Sequence, residues 1–221
     1  GCWANFCTDF SSASKLFPGI QIHPATLNMN FVIPVFRDFL LSHGVISVSR
    51  KSIKHSLESP GHAPLVVVGG AAEALDAAPG THDLTLRRRN GFFRLALESG
   101  ANLVPVYSFG ENDIFYAPDV QKYSWLRRLQ SRALKLMGFS LPVYSGAGYL
   151  CLPAVPLSPI PRRKPIITVV GDPIECPKIA NPTQADIDVV KEMYVGKLRE
   201  IFEKFADEYA PDRKGGLKIV A

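Results

Sequence analysis

The 221-residue sequence lacks the short motifs that mark the best-known catalytic sites. It has no GxxxxGK[ST] loop, no GxGxxG turn, no GxSxG turn and no HExxH pair. The sequence therefore lacks the usual signatures of P-loop NTPases, dinucleotide-binding enzymes, α/β-hydrolases and zinc proteases. Cysteine is scarce, and the four cysteines form neither a CxxC pair nor a cluster with histidine: Cys2, Cys7, Cys151 and Cys176. This usage favours reduced thiols that face the cytosol.

The sequence also lacks an apolar run that would make an ordinary membrane-spanning helix. Residues 136–161 carry no charge, but five prolines interrupt them and forbid a continuous helix. The stretch is interpreted as a core strand with a proline-rich connection. An apolar loop that touches lipid is the alternative.

The composition of the chain fits one sizeable globular domain with its own core. Hydrophobic residues make up 47% of it and charged residues 20%, and the formal net charge is +5. This mild basicity suits an anionic ligand or a membrane surface as well as nucleic acid. The histidines are scattered and none has an evident carboxylate partner, so each is interpreted as a surface or loop residue: His23, His43, His55, His62 and His82.

Strand-like and helix-like segments alternate along the chain. Strands are predicted over 44–49, 63–70, 101–109 and 164–171, and the valine run in the second predicts burial on both faces. Helices are predicted over 50–59 and over 87–100, the latter ending at Gly100. This order predicts an α/β fold with a largely parallel sheet flanked by helices.

Two further helices differ in character. The spacing of Thr183 and Asp186 predicts a capping box at the start of a helix with an apolar stripe. The stripe consists of Ile187, Val190, Tyr194, Leu198, Ile201 and Phe205. Residues 123–139 predict a basic amphipathic helix, which fits an anionic membrane surface or a solvated face over a packed core.

The segment VVVGGAAEAL contains two glycines, Gly69 and Gly70, followed by a single acidic residue, Glu73. One interpretation is a strand that ends in a turn, with Glu73 in solvent. The other is a reaction centre, where glycine lets the backbone approach a substrate. Further along, Arg87, Arg88 and Arg89 form the densest positive charge, and guanidinium groups suit phosphate oxygens.

Several blocks resemble the diacylglycerol acyltransferase 2 family, which includes monoacylglycerol and wax-alcohol acyltransferases. They are VVVGGAAEAL, LRRRNGFFRLAL, SGANLVPVYSFGEN, KPIITVVGDPI and NPTQADID, and they cover nearly the whole chain. The resemblance implies a glycerol-phosphate-acyltransferase-like fold with residues 1–221 as one acyltransferase domain. It also implies acyl transfer from acyl-CoA to diacylglycerol, at the cytosolic face of the endoplasmic reticulum membrane and on lipid droplets.

The same resemblance implies a set of site residues. Gly69 and Gly70 would form the turn at the thioester. Glu73 would orient the catalytic histidine or a polar part of the substrate, and a purely structural carboxylate is the alternative. The acyl-CoA site would comprise Arg87, Arg89 and Gly91, with Glu111 and Asn112 as further family-block residues. Acyl-CoA and a lipid alcohol would be the substrates, without a cofactor, a metal or nucleic acid.

The sequence departs from the family in two places. The family's His-Pro-His-Gly motif is absent, and His23-Pro24 continues with Ala25 and Thr26. We expect the catalytic histidine upstream of Gly1 and an inactive isolated chain. Ala147 stands where the family usually has arginine. There are two alternatives to acylation of diacylglycerol. One is an enzyme that acylates a monoacylglycerol or a wax alcohol, and the other is a non-catalytic lipid-binding module on droplets.

Overall fold

A computed structural model of the chain describes residues 4–8, 13–70, 73, 77–115 and 161–220. The chain divides into two compact units. The first comprises Gly1–Val67, Asn90–Pro105 and Asp172–Gly196, and the second Val68–Arg89, Val106–Gly171 and Lys197–Ala221. The predicted helix over 123–139, Ala147 and nearly all of the stretch 136–161 lie outside the described residues. The assignment of residues 1–221 to one domain stays a prediction.

The first unit is built around a short parallel sheet. Its elements are helices α1 (Ala4–Cys7) and α2 (Ala13–Leu16), strand β1 (Gln21–Thr26), a 3-10 turn (Asn28–Phe31), helix α3 (Phe36–Ser42), strand β2 (Ile46–Ser47), helix α4 (Arg50–Glu58), strand β3 (His62–Leu65) and helix α5 (Gly91–Ser99). Strand β1 lies between β2 and β3 and is parallel to both. The predicted helix over 50–59 is confirmed as α4, which begins where the Ser49 hydroxyl accepts the N–H of Ser52.

Helix α5 supplies much of the core of the first unit. Phe93 is fully buried, and the ring of Tyr194 meets it edge-on at 5.5 Å between centroids. The helix ends at Gly100, which has a φ of 70° and donates its N–H to the carbonyl of Ala96. The predicted glycine stop is therefore confirmed.

The long helix α6 (Gln184–Tyr209) begins as the sequence predicts. The Thr183 N–H donates to Asp186 Oδ2 at 2.8 Å, and the Asp186 N–H donates to Thr183 Oγ1 at 3.3 Å. The predicted stripe is buried at Ile187, Val190, Tyr194, Leu198 and Ile201, and half-buried at Phe205. Residues up to Gly196 belong to the first unit, and later ones to the second.

The second unit contains two pairs of strands. Strand β4 (Asp83–Thr85) runs parallel to β7 (Lys218–Val220), and β5 (Val106–Phe109) runs antiparallel to β6 (Ile167–Val170). Its core includes the aromatic rings of Tyr107, Phe109 and Phe202, with centroids 4.8 to 5.9 Å apart. A 3-10 turn (Glu111–Asp113) follows β5.

Mixed helices and small parallel sheets give the chain the predicted α/β class, with two corrections to the strands. Among the described residues the strands form three small sheets, and the β5–β6 pair is antiparallel. Gly110 has a φ of 83° and turns the chain after β5. The Pro165 carbonyl lies where a Cβ on residue 110 would be.

The second correction concerns the valine run. Strand β3 ends at Leu65, and Val67 is 51% exposed. Strand β1 pairs with β3 as far as Pro24, which has no N–H to donate, and then pairs with β2 from Ala25 onward. The ladder that would have buried the valines therefore stops before them.

The helix predicted over 87–100 begins later, at Gly91. The N–H groups of Leu86 and Arg87 donate to the Val220 carbonyl at 3.2 and 3.3 Å, and the Arg89 N–H donates to the Leu86 carbonyl at 3.0 Å. Because these N–H groups are used outside the helix, the arginines lie in an exposed turn before it.

Candidate functional site

Gly69 and Glu73 form the centre of a candidate site in the second unit. The Glu73 carboxyl lies against the Cα of Gly69 so closely that a Cβ on residue 69 would overlap it. One carboxyl oxygen accepts the backbone N–H of Thr85, in β4, at 2.8 Å. The glycine therefore makes room for the acid, and the strand holds the acid in place.

The environment of Glu73 favours its neutral form. Burial raises the pKa of the carboxyl, and the nearby negative charge of Glu111 raises it further. The hydrogen bond from Thr85 and the positive charge of Arg89 lower it, but by less. A carboxyl of this kind gives up and takes back a proton at a higher pH than an exposed one.

Arg89 fixes the glycine turn from the other side. Its Nη2 donates to the carbonyl of Gly69 at 3.0 Å. Gly70 has a φ of 60°, and a Cβ there would lie 3.8 Å from the same nitrogen. Glycine is the residue that adopts this backbone conformation without strain. The structure therefore brings together Gly69, Gly70, Glu73 and Arg89 from the predicted set.

The other two predicted acyl-CoA residues are both exposed. Arg87 is exposed, and its backbone N–H binds the Val220 carbonyl. Gly91 belongs to the first unit, where it is the exposed first residue of α5. Apart from its chain neighbours and the backbone of α5, no described atom lies within 4 Å of the position that a Cβ on Gly91 would take.

The two family-block residues after β5 act differently. Glu111 contributes its charge to the environment of Glu73. Asn112 donates from Nδ2 to the Thr81 carbonyl at 2.9 Å, next to a contact between Asp113 Oδ1 and the Gly80 N–H at 3.1 Å. Asn112 and Asp113 therefore anchor the loop before β4.

Sequence reasoning missed a pair beside this site, made by the buried Tyr107 and the half-buried His82. The Tyr107 hydroxyl and His82 Nδ1 lie 2.8 Å apart, and His82 Nε2 is buried without a partner among the described residues. Burial raises the pKa of Tyr107, as does the charge of Glu73, and burial lowers the pKa of His82. The alternation of Tyr107 and Phe109 in β5 was the available signal for an inward-facing tyrosine.

His82 lies in the loop before β4, as the sequence predicts, although it is half-buried. The interpretation of the histidines as surface or loop residues is wrong for His23 and His62, which are half-buried on the paired strands β1 and β3. Their rings stack with centroids 4.9 Å apart, and His23 Nε2 lies 2.7 Å from His62 Nδ1. Strand pairing brings the two together, which their separation in sequence conceals.

Three other kinds of feature, metal sites, grooves and membrane-spanning helices, bear on function in the same parts of the chain. No three His, Cys, Asp or Glu side chains within the described ranges are grouped as metal ligands. An open groove of about 840 Å³ lies along the end of α6 and residues 211–217, and no predicted site residue lines it. Of the helices the structure describes, none combines the length and apolar character needed to cross a membrane.

Comparison with known proteins identifies the family. A family model described as diacylglycerol acyltransferase matches residues 1–219. The diacylglycerol O-acyltransferase 2 of Dictyostelium discoideum is 42% identical over 220 residues, which are 99% of this chain and 66% of that protein. The human diacylglycerol O-acyltransferase 2 is 43% identical over 95% of this chain and 54% of its own length.

A third relative carries a different name. The 2-acylglycerol O-acyltransferase 1 of Bos taurus is 43% identical over 211 residues, 95% of this chain and 62% of that protein. The chain thus spans between about half and two thirds of these relatives. No solved structure matches it significantly. The family match over nearly the full chain and the identity to these relatives show that the chain belongs to the diacylglycerol acyltransferase family.

Proposed function

We propose that this chain forms the acyl-transferring part of an acyl-CoA-dependent O-acyltransferase that makes triacylglycerol from diacylglycerol. Family membership and the names of the relatives support the reaction. The observation that carries the proposal is the Glu73 carboxyl, which is held at a glycine turn with a raised pKa. Perturbed carboxyls of this kind are concentrated at functional sites.

In the reaction, the hydroxyl oxygen of the acceptor attacks the carbonyl carbon of the thioester. A carbon–oxygen bond forms, the carbon–sulfur bond breaks, and the hydroxyl proton passes through a base to the departing thiolate of coenzyme A. A histidine of the family's His-Pro-His-Gly motif would be that base. Glu73 would orient the histidine or a polar part of the acceptor, and backbone N–H groups at Gly69 and Gly70 would stabilise the oxyanion.

The proposal extends to the setting of the reaction. We infer a glycerol-phosphate-acyltransferase-like arrangement of the full fold, and no cofactor besides the acyl-CoA substrate. A water-insoluble acceptor requires contact with lipid. This requirement supports the cytosolic face of the endoplasmic reticulum membrane and the surface of lipid droplets as the location.

Transfer of labelled acyl groups tests the reaction and its acceptor. With labelled acyl-CoA, the whole protein should acylate diacylglycerol faster than 2-monoacylglycerol or a long-chain alcohol. The 221-residue chain alone should give no labelled product, because it lacks the His-Pro-His-Gly motif. The 43% identity to a 2-acylglycerol acyltransferase makes monoacylglycerol the second candidate acceptor. No transfer to any of the three acceptors by the whole protein would refute the proposal.

Separate lysine substitutions at Arg87 and Arg89 test two different roles. Arg87→Lys keeps the charge but loses the planar guanidinium that binds phosphate through two hydrogen bonds. The KM for acyl-CoA should therefore rise by roughly fivefold, which corresponds to the loss of one hydrogen bond. Arg89→Lys removes the donor to the Gly69 carbonyl and should lower kcat instead. Steady-state kinetics separate the two effects, and Arg88→Lys, in the same exposed turn, is the matched control. An unchanged KM in Arg87→Lys would exclude Arg87 from the acyl-CoA site.

A further inference from the structure

His23 and His62 bring two imidazole nitrogens together in the first unit. They lie on the neighbouring parallel strands β1 and β3, whose register places Gln21 opposite His62 and therefore His23 two residues further along. Residues two apart in a strand share a face, so both imidazoles lie on the same face of the sheet. His23 Nε2 lies 2.7 Å from His62 Nδ1. Both side chains are half-buried, so the sheet holds the pair while solvent still reaches it.

The position of the hydrogen atoms in this pair follows from the carbonyl of Gly44. His23 Nδ1 lies 2.8 Å from that oxygen, which can only accept, so Nδ1 carries a hydrogen. The other nitrogen of a neutral imidazole has a bare lone pair, so His23 Nε2 accepts the hydrogen on His62 Nδ1. A single hydrogen thus lies between two nitrogens, each of which is a metal ligand once its lone pair is free.

His23 already has the second contact that a ligating histidine usually makes. Such a histidine donates its other ring N–H to a backbone carbonyl or a carboxylate, which fixes the nitrogen that faces the metal. The Gly44 carbonyl provides this contact, and Gly44 has a φ of 68°, which glycine adopts without strain. Nε2 of His23 is therefore held as the free nitrogen before any metal arrives.

The spacing of the two nitrogens is close to that of two ligands on one ion. On a square-planar ion, nitrogens about 2.0–2.1 Å from the metal and at right angles lie about 2.9 Å apart. The pair would open by only about 0.2 Å from its present 2.7 Å. The ring planes differ by 8°, so both in-plane lone pairs can meet one ion. The ring of His62 makes no other hydrogen bond to a described residue, so it is the ring that turns toward the ion.

We propose that His23 and His62 bind one divalent transition-metal ion of the class that prefers imidazole nitrogen, such as Ni²⁺, Cu²⁺ or Zn²⁺. The ion takes the place of the hydrogen between the rings, and that hydrogen moves through water to Nε2 of His62. Both rings stay neutral, as metal binding requires. Water fills the remaining positions on the ion. The acyl transfer proposed above needs no metal, and the bound ion would instead tie β1 to β3.

Calorimetric titration with Ni²⁺ tests the proposal on the 221-residue chain, purified without a histidine tag. The wild type should bind one ion at this pair. Excess Ni²⁺ should raise its Tm, because the two ligands come together only when the strands pair in the folded chain. His23→Gln/His62→Gln should bind Ni²⁺ at least about tenfold more weakly and lose the rise in Tm.

A second double variant serves as the matched control. His43→Gln/His55→Gln removes the same number of imidazoles from the first unit, one that is exposed on α4 and one whose Nδ1 binds the Phe39 carbonyl. It should bind Ni²⁺ like the wild type and keep the rise in Tm. Circular dichroism of both double variants in EDTA shows whether each is folded before metal is added.

The electron paramagnetic resonance spectrum of one equivalent of Cu²⁺ on the wild type decides the question without any substitution. It should show coupling to two imidazole nitrogens. This result, with weaker Ni²⁺ binding by His23→Gln/His62→Gln alone, would support the site. Equal Ni²⁺ binding by the two double variants would overturn the proposal. So would the absence of Ni²⁺ binding by the wild type, or a Cu²⁺ spectrum with fewer than two imidazole nitrogens.

Discussion

Glu73→Gln should lower the rate of acyl transfer by the whole protein about 100-fold, the low end of what a well-positioned base contributes, because the histidine would lose the carboxylate that orients it. Glutamine keeps the size of the side chain and can still accept the Thr85 N–H, but it carries no charge and takes no proton. The loss should appear in kcat more than in the KM for acyl-CoA. Glu203→Gln, an exposed acid on α6 in the same unit, is the control and should keep full activity.

The same substitution should lower activity but raise the stability of the folded chain at neutral pH. Burial raises the pKa of Glu73 above its ordinary value of 4.5, so the folded chain binds this proton more tightly than the unfolded chain does. The stabilisation is fully present below pH 4.5 and is lost as the pH rises through the raised value. Glu73→Gln should therefore unfold at a higher denaturant concentration than the wild type at neutral pH, and this advantage should disappear in acid.

Urea titrations at pH 7 and at pH 4 check the stability effect. A near-normal kcat in Glu73→Gln would show that the carboxyl takes no part in catalysis. A stability difference that did not vary with pH would contradict the buried, proton-binding environment that the structure gives it.

Gly69→Ala should be nearly as damaging to activity as Glu73→Gln, and it should also destabilise the chain. The new Cβ would overlap the Glu73 side chain and push the carboxyl off the Thr85 N–H. Leaving a buried donor without its partner costs about 1–3 kcal/mol of unfolding free energy. Both kcat and the urea midpoint should fall.

Gly196→Ala is the matched control for this substitution. Gly196 lies within α6, and apart from its chain neighbours and the backbone of that helix no described atom lies within 4 Å of the position that its Cβ would take. Alanine there should raise stability by roughly 0.8–1.0 kcal/mol through helix propensity and leave kcat unchanged. Normal kcat in Gly69→Ala would show that Glu73 need not stay where the structure places it.

Features that depend on neighbouring residues were predicted correctly from the sequence. The capping box of Thr183 and Asp186 and the stop at Gly100 each depend on a few consecutive residues. The stripe of α6 was predicted because helix periodicity is a local property. The association of the two glycines with Glu73 was also visible, because they lie within one turn of chain.

Features that depend on pairing between distant segments were not predicted. The antiparallel β5–β6 pair joins residues some sixty positions apart, and Gly110 lies against the Pro165 carbonyl at one end of it. The same reason hid the pair of His82 and Tyr107 and the stacked pair of His23 and His62. The contact of Arg89 with Gly69 was hidden as well, which is why that arginine was assigned to acyl-CoA alone.

A double-variant cycle on Gly69 and Glu73 most directly tests whether the glycine turn and the acid work as one unit in acyl transfer. The measured quantity is kcat for labelled triacylglycerol formation by the wild type, Gly69→Ala, Glu73→Gln and the double variant. If Gly69 acts by making room for the carboxyl, the double variant should be about as slow as Glu73→Gln alone, because residues that act together have non-additive effects. If the two losses multiplied instead, the glycine and the acid would serve separate roles, and the site described around Gly69 would be wrong.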